Sequence, residues 1–177
     1  MAYSHVLGPT NGTLDAPLLI VGEAPGRLGA ARTGVPFQGD RSGQRLERLL
    51  EEAGITRDDV FITNALLCNP LDGGSRNRRP RASELTACAG FLERTLELVR
   101  APVVVALGGV ALASLDRVER HGVLRISEAA GQPVPWYGRT LVPLVHPSPR
   151  TQGRRSWDRQ LADWRAVGRL VAEFRSH

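Results

Sequence analysis

The 177-residue chain is 42% hydrophobic, carries a formal net charge of +5 and contains two cysteines, enough to bury one core but too few thiols for a disulfide framework or a four-thiolate metal site. Its 23 basic side chains are all arginine, which excludes Schiff-base chemistry by a side-chain amine, pyridoxal phosphate attachment and a Walker lysine. No stretch has the length of a membrane span, and Met1 to His5 lack the basic and apolar parts of a leader, so a single cytoplasmic domain over residues 1–177 without membrane attachment is expected.

Residues before Leu18 are polar and turn-rich, with Gly8-Pro9-Thr10-Asn11-Gly12, and read as a surface arm. Leu18-Leu19-Ile20-Val21 then runs straight into Gly22-Glu23-Ala24-Pro25-Gly26. A short apolar run bounded by turn residues suits a strand covered on both faces, and ligands in parallel sheets collect at the carboxyl ends of strands. The run therefore delivers Glu23 to a site loop. The long loop from Arg27 to Gly39 carries one isolated aromatic, Phe37, and such a loop in a compact domain is functional or disordered.

Ser42 can cap a helix that places Leu46, Leu49, Leu50 and Ala53 on one face and stops at Gly54. A second strand, Val60 to Thr63, ends at Asn64 and enters Leu67-Cys68-Asn69-Pro70. A helix from about Ser83 to Arg100 leads to a third strand, Val103 to Leu107, which ends at Gly108-Gly109. A hairpin is expected over His121 to Gly138, then a fourth strand, Thr140 to Val145, running into His146-Pro147-Ser148-Pro149. The last helix, from about Ser156, carries Trp157, Leu161, Trp164, Gly168 and Val171 at helical spacing, a pattern of core packing rather than a cofactor box. This order predicts an α/β sandwich around a four-stranded, mostly parallel sheet, with Glu23, Asn64, Gly108 and His146 on one rim.

Two arginine clusters stand beside the candidate site loops: Arg76, Arg78, Arg79 and Arg81 around Asn77, and Arg150, Arg154, Arg155 and Arg159 after His146. Guanidinium groups bind phosphates bidentately and displace counterions, so the pair of clusters points to a nucleic-acid track.

The motifs Gly22-Glu23-Ala24-Pro25-Gly26, Gly34-Val35-Pro36-Phe37 with Gly39 and Ser42-Gly43, Thr63-Asn64, Asn77-Arg78 with Pro80, and His146-Pro147-Ser148 resemble, in this order, the uracil-DNA glycosylase superfamily. The similarity runs from Leu18 to about Pro149 and is greatest to the bacterial and archaeal branch called family 4. It implies a three-layer α/β/α sandwich and a monomer acting on uracil-containing DNA, single- or double-stranded. It also implies roles for named residues. Phe37 would stack on the flipped base, Asn64 would read its pairing edge, and Gly22 and Ala24 would line the base pocket. His146 would stabilise the departing base while Glu23 positions water or balances the sugar cation. Ser42, Asn77, Arg78, Ser148 and Arg150 would grip the DNA, with Arg150 or its neighbours as a wedge.

The sequence departs from that family in three places. The arm before the first strand lacks a cysteine pair, so Cys68 and Cys88, the latter beside Leu85, Leu92 and Val99, are read as buried free thiols, with no metal, cluster or other cofactor. Arg27-Leu28-Gly29 stands where acidic residues often follow the first motif, and an insertion lengthens the segment before Asn77. Asp40 is a second candidate for activating water. With lysine absent, the expected chemistry is simple hydrolysis to an abasic site. The alternatives are a glycosylase for another deaminated base such as hypoxanthine, and a noncatalytic or covalent uracil-DNA binder.

Overall fold

The computed structural model describes residues 8–73, 76–151 and 153–175. Met1 to His5, on which the leader expectation rests, lie outside them. Among the described residues no helix is long and apolar enough to cross a membrane.

The strands are β1 (Leu18–Gly22), β2 (Val60–Asn64), β3 (Leu71–Asp72), β4 (Arg76–Asn77), β5 (Val103–Leu107), β6 (Val134–Trp136) and β7 (Arg139–Leu144). The helices are α1 (Ala30–Thr33), α2 (Arg41–Glu52), α3 (Ala82–Leu98), α4 (Gly109–Val118), α5 (Ile126–Ala129) and α6 (Trp157–Arg175). The main sheet runs β2-β1-β5-β7-β6, the first four strands parallel and β6 antiparallel to β7. The mostly parallel α/β sandwich is thus present with five strands instead of four. The hairpin is β6–β7, turning at Tyr137-Gly138, and lies later in the chain than the stretch His121 to Gly138. Both turn residues have positive φ, 52° and 66°, as a two-residue hairpin turn demands.

Strand periodicity sorts the core into two layers. Leu18, Ile20, Val60, Ile62, Val103, Val105, Leu107, Val142 and Leu144 pack with Leu46, Leu49 and Leu50 of α2 and with Trp164, Val167 and Val171 of α6. The alternate residues Leu19, Val21, Phe61, Val104, Ala106 and Leu141 face Leu92 and Leu96 of α3 and Ala111, Leu112 and Leu115 of α4. Side chains that alternate across a sheet buried on both faces require apolar residues at every position, which accounts for the unbroken runs.

Several local expectations change. Asp40, rather than Ser42, caps α2 by accepting the Gly43 N–H at 2.9 Å, because Ser42 already stands inside the first turn. The described part of the arm before Leu18 is not a free surface segment. Asn11 is fully buried and its Nδ2 donates to the Ile62 carbonyl at 2.6 Å, fastening the arm to β2. Cys68 and Cys88 are half-buried rather than buried.

The α2–α6 contact depends on Gly168, where a methyl group would overlap the Ala53 carbonyl oxygen. Helix propensity alone favours Gly168→Ala by about 1 kcal/mol, whereas overpacking costs about 1–3 kcal/mol. We expect net destabilisation of about 1–2 kcal/mol in urea unfolding; a stabilised variant would contradict this packing.

Candidate active site

Gly22 and Asn64 are in-register partners at the carboxyl ends of β1 and β2. The two-residue period puts positions 22 and 64 on the face covered by α2 and α6 and, continued past β7, puts His146 there as well. Asn64 is 4% exposed, and its carboxamide makes no hydrogen bond to another described residue. A side chain at position 22 would collide with Asn64 Oδ1, and its Cβ would stand 3.4 Å from Phe37 Cε2. Glycine at position 22 therefore leaves room for the Asn64 amide and the Phe37 ring to meet across the end of β1.

Phe37 itself adopts φ 55°, a conformation that is costly for a bulky residue. Its carbonyl lies so close to Gly43 that a Cβ there would overlap it. This backbone turns the Phe37 ring inward, 5.6 Å from the His146 ring at an interplanar angle of 34°.

β5 lies between β1 and β7 in the sheet and ends at Gly108, whose φ is 91°. A Cβ at Gly108 would meet His146 Cβ at 3.6 Å, an ordinary contact, so the end of β5 lies directly beside the histidine. The Ser148 N–H donates to His146 Nδ1 at 3.1 Å, which places the proton of the neutral ring on Nε2. Burial pushes the His146 pKa down to about 4, with Asp40 pulling the other way. The Thr151 hydroxyl ties the loop, lying 2.7 Å from both the His146 and Ser148 carbonyls. In contrast, both ring nitrogens of His121 are hydrogen-bonded to backbone, Nε2 with the Leu112 carbonyl and Nδ1 with the Val123 N–H.

A cleft of about 1350 Å³ opens over these strand ends, and Glu23, Ala24, Phe37, Asn64 and His146 all line it. Gly22 is buried beneath them and does not line the cleft. Glu23 is half-buried, and desolvation raises its carboxyl pKa while the charge of Arg79 lowers it. The loop that bears it is fixed to β2 through Ala65 N to Gly22 O, 2.9 Å, and Leu66 N to Glu23 O, 3.0 Å. Asp40 also borders the cleft, with one carboxylate oxygen engaged in capping α2.

The DNA-contact candidates Ser42, Asn77, Arg78, Ser148 and Arg150 line the same cleft. Three of them have side-chain engagements: Ser148 Oγ accepts the Arg150 N–H at 3.3 Å, and Arg78 and Asn77 tie separate segments together. Arg78 clasps Glu84 at 2.8 and 2.5 Å and donates to the Leu71 carbonyl, holding the β3–β4 turn to α3; this bonding holds the Glu84 pKa down at about 2. Asn77 Oδ1 accepts from the Arg27 N–H at 3.0 Å and from Asn69 Nδ2 at 3.1 Å. Asn69, which the sequence analysis passed over, is buried and also donates to the Pro25 carbonyl at 2.5 Å. It joins the first motif to the β3–β4 segment. Its only sequence signal is its place before proline, which favours a turn.

Cys68 and Cys88 are close enough that their interaction, added to burial, raises the Cys68 pKa. Two thiols supply half of a four-cysteine set, and among the described residues no group of three or more His, Cys, Asp or Glu is arranged to hold a metal ion. The residues present do not complete a four-thiolate cluster site.

A family model described as the uracil DNA glycosylase superfamily matches residues 9–167. The type-4 uracil-DNA glycosylase of Thermotoga maritima is 38% identical over 138 residues, 77% of this chain and 67% of that protein. The type-4 uracil-DNA glycosylase of Archaeoglobus fulgidus is 32% identical over 172 residues, 93% of this chain and 82% of that protein. The type-5 uracil-DNA glycosylase of Thermus thermophilus is 40% identical over 120 residues, covering 60% and 52%. With the family model spanning nearly the whole sheet and its helices, the chain belongs to the uracil DNA glycosylase superfamily.

Proposed function

We propose that this chain is a monofunctional DNA glycosylase that hydrolyses the N-glycosidic bond of a flipped-out uracil and leaves an abasic site. The carrying observation is the Asn64 carboxamide, buried at the cleft floor, unbonded to other described residues and backed by a glycine. A carboxamide offers one acceptor and one donor side by side, which match uracil N3–H and O4 and clash with the reversed pattern of cytosine. Phe37 supplies the stacking wall.

The bond between C1′ and N1 breaks heterolytically, its electron pair leaving with the base. His146 Nε2–H then donates to the developing anion at O2, an interaction strengthened by exclusion of water. A neutral donor suits this task because it stabilises the anion without surrendering a proton at the start. Glu23 balances the cationic sugar and takes the proton of the attacking water; Asp40, tied to the α2 cap, is the alternative acceptor. Ser42, Ser148, Asn77 and Arg150 grip the flanking backbone, and Arg78 supports them by fixing the β3–β4 turn. The proposal includes the sequence-based expectation of a cytoplasmic monomer that takes single- or double-stranded DNA.

Incubating the protein with end-labelled strands carrying uracil, hypoxanthine or neither, then adding hot alkali, tests the activity. Uracil-dependent breaks appearing only after alkali are expected. Intact strands despite binding would favour a noncatalytic reader, and breaks at hypoxanthine alone would change the base.

Asn64→Asp exchanges the amide donor for a second acceptor, so we expect kcat/KM on uracil strands to fall roughly 100-fold, as loss of a buried hydrogen bond implies. Excision at cytosine should rise relative to uracil; an unchanged preference would remove Asn64 as the reader.

For His146, the folded pKa of about 4 lies below the ordinary 6.5. The unfolded chain binds the extra proton more readily, so this contribution to stability is present above pH 6.5 and is lost as pH falls toward about 4. Nitrogen-15 spectra at about pH 5.5 should show a neutral ring protonated on Nε2. A doubly protonated ring, with a midpoint near the ordinary histidine value, would contradict the neutral-donor role.

A further inference from the structure

A group of arginines without ion-pair partners lies on the seam between α2 and the start of α6, running away from the cleft. Arg41, Arg45 and Arg48 recur at i, i+4 and i+7 and so share one face of α2. Arg45 Cζ lies 4.3 Å from the centroid of the Trp157 ring, and Arg48 Cζ lies 5.4 Å from it. Two guanidinium groups thus share one indole without an anion between them. Arg45 Nε and Nη2 are buried and have no hydrogen-bond partner. Burial and the charge of Arg48 both lower the Arg45 pKa.

Of the carboxylates on the two helices, Glu52 pairs with Arg165 at 2.6 Å and Asp163 clasps Arg155. No described carboxylate forms an ion pair with Arg41, Arg45 or Arg48. A partly buried guanidinium, Arg45, and an exposed one, Arg48, stacked on one indole and lacking an ion-pair partner form a ready site for a strong anion, and the planar guanidinium fork matches phosphate.

The seam opens onto the cleft, since Arg41 at its near end lines the same cavity as Arg150. From Arg41 to Arg48 the helix advances roughly 10 Å, about the axial rise of three base pairs of duplex DNA. We propose that Arg45 and Arg48, held against Trp157, clamp backbone phosphates of the DNA strand as it leaves the cleft, extending the contact past the flipped nucleotide. The clamp carries no base readout, because the indole face available for stacking is occupied by guanidinium. This inference rests on reading the cleft as a DNA site.

The test uses fluorescence anisotropy with uracil-free single-stranded and duplex oligonucleotides over a range of salt, so it does not depend on excision. For the double variant Arg45→Gln, Arg48→Gln, the slope of log affinity against log salt should fall by about 1.5, a loss of roughly thirtyfold at about 0.1 M salt, equally for all sequences. Arg45→Lys with Arg48→Lys should retain most of the slope, which separates lost charge from lost packing. Arg94→Gln with Arg125→Gln, which removes the same charge outside this seam, should leave the slope unchanged. An unaltered slope in the first variant, or an equal fall in the last, would overturn the clamp. If the native chain binds with the expected slope but cuts nothing, the glycosylase reading fails and the clamp stands.

Discussion

The pairing of Gly22 with Asn64 at the ends of two parallel strands is the constraint on which the rest of the site depends. Parallel register fixes the two residues side by side, and strand periodicity turns both toward the helices α2 and α6. Because position 22 has no side chain, the carboxamide at position 64 has room there, and the Phe37 ring closes over the same gap. The long loop, the left-handed backbone at Phe37 and the glycine at position 43 serve to bring that ring down onto the strand ends.

Electrostatics follow from the same burial. Desolvation raises the Glu23 pKa, which makes its carboxylate a better proton acceptor, and lowers that of His146, which keeps the ring neutral, as is common where catalytic groups are tuned by their surroundings. A backbone N–H from Ser148 selects the tautomer of His146. The Gly22-to-Gly26 turn is held by Asn69, Asn77 and the backbone bonds to Ala65 and Leu66, so the acidic residue is carried on a fixed loop. Around this centre the arginines divide into two groups. Arg78 and Arg155 are locked in bidentate pairs that brace loops, while Arg41, Arg45 and Arg48 lack such partners.

Much of this was legible in the sequence, for physical reasons. Apolar runs ending in glycine or asparagine announce buried parallel strands and their active ends, so Glu23, Asn64 and His146 were readable as one rim before any coordinates. Phe37 was readable only through the resemblance of Gly34-Val35-Pro36-Phe37 to the family motif, since a lone loop phenylalanine usually fills a local apolar gap. The fifth strand was not, since Val134-Pro135-Trp136 looks like a turn until an edge position, where proline is tolerated, is available to it. The cap at Asp40 was hidden by Ser42, an equally good capping residue two positions later. Long-range bonds made by Asn11 and Asn69, and the partnering of Arg78 by Glu84, depend on segments that meet only after folding; local pattern carries no trace of them.

The most direct test of the account is a crystal structure of the protein with free uracil bound. The base should lie against the Phe37 ring, with N3–H and O4 on the Asn64 carboxamide and O2 facing His146 Nε2. A base lodged elsewhere, or one whose pairing edge turns away from Asn64, would contradict the claim that the paired ends of β1 and β2 form the uracil reader.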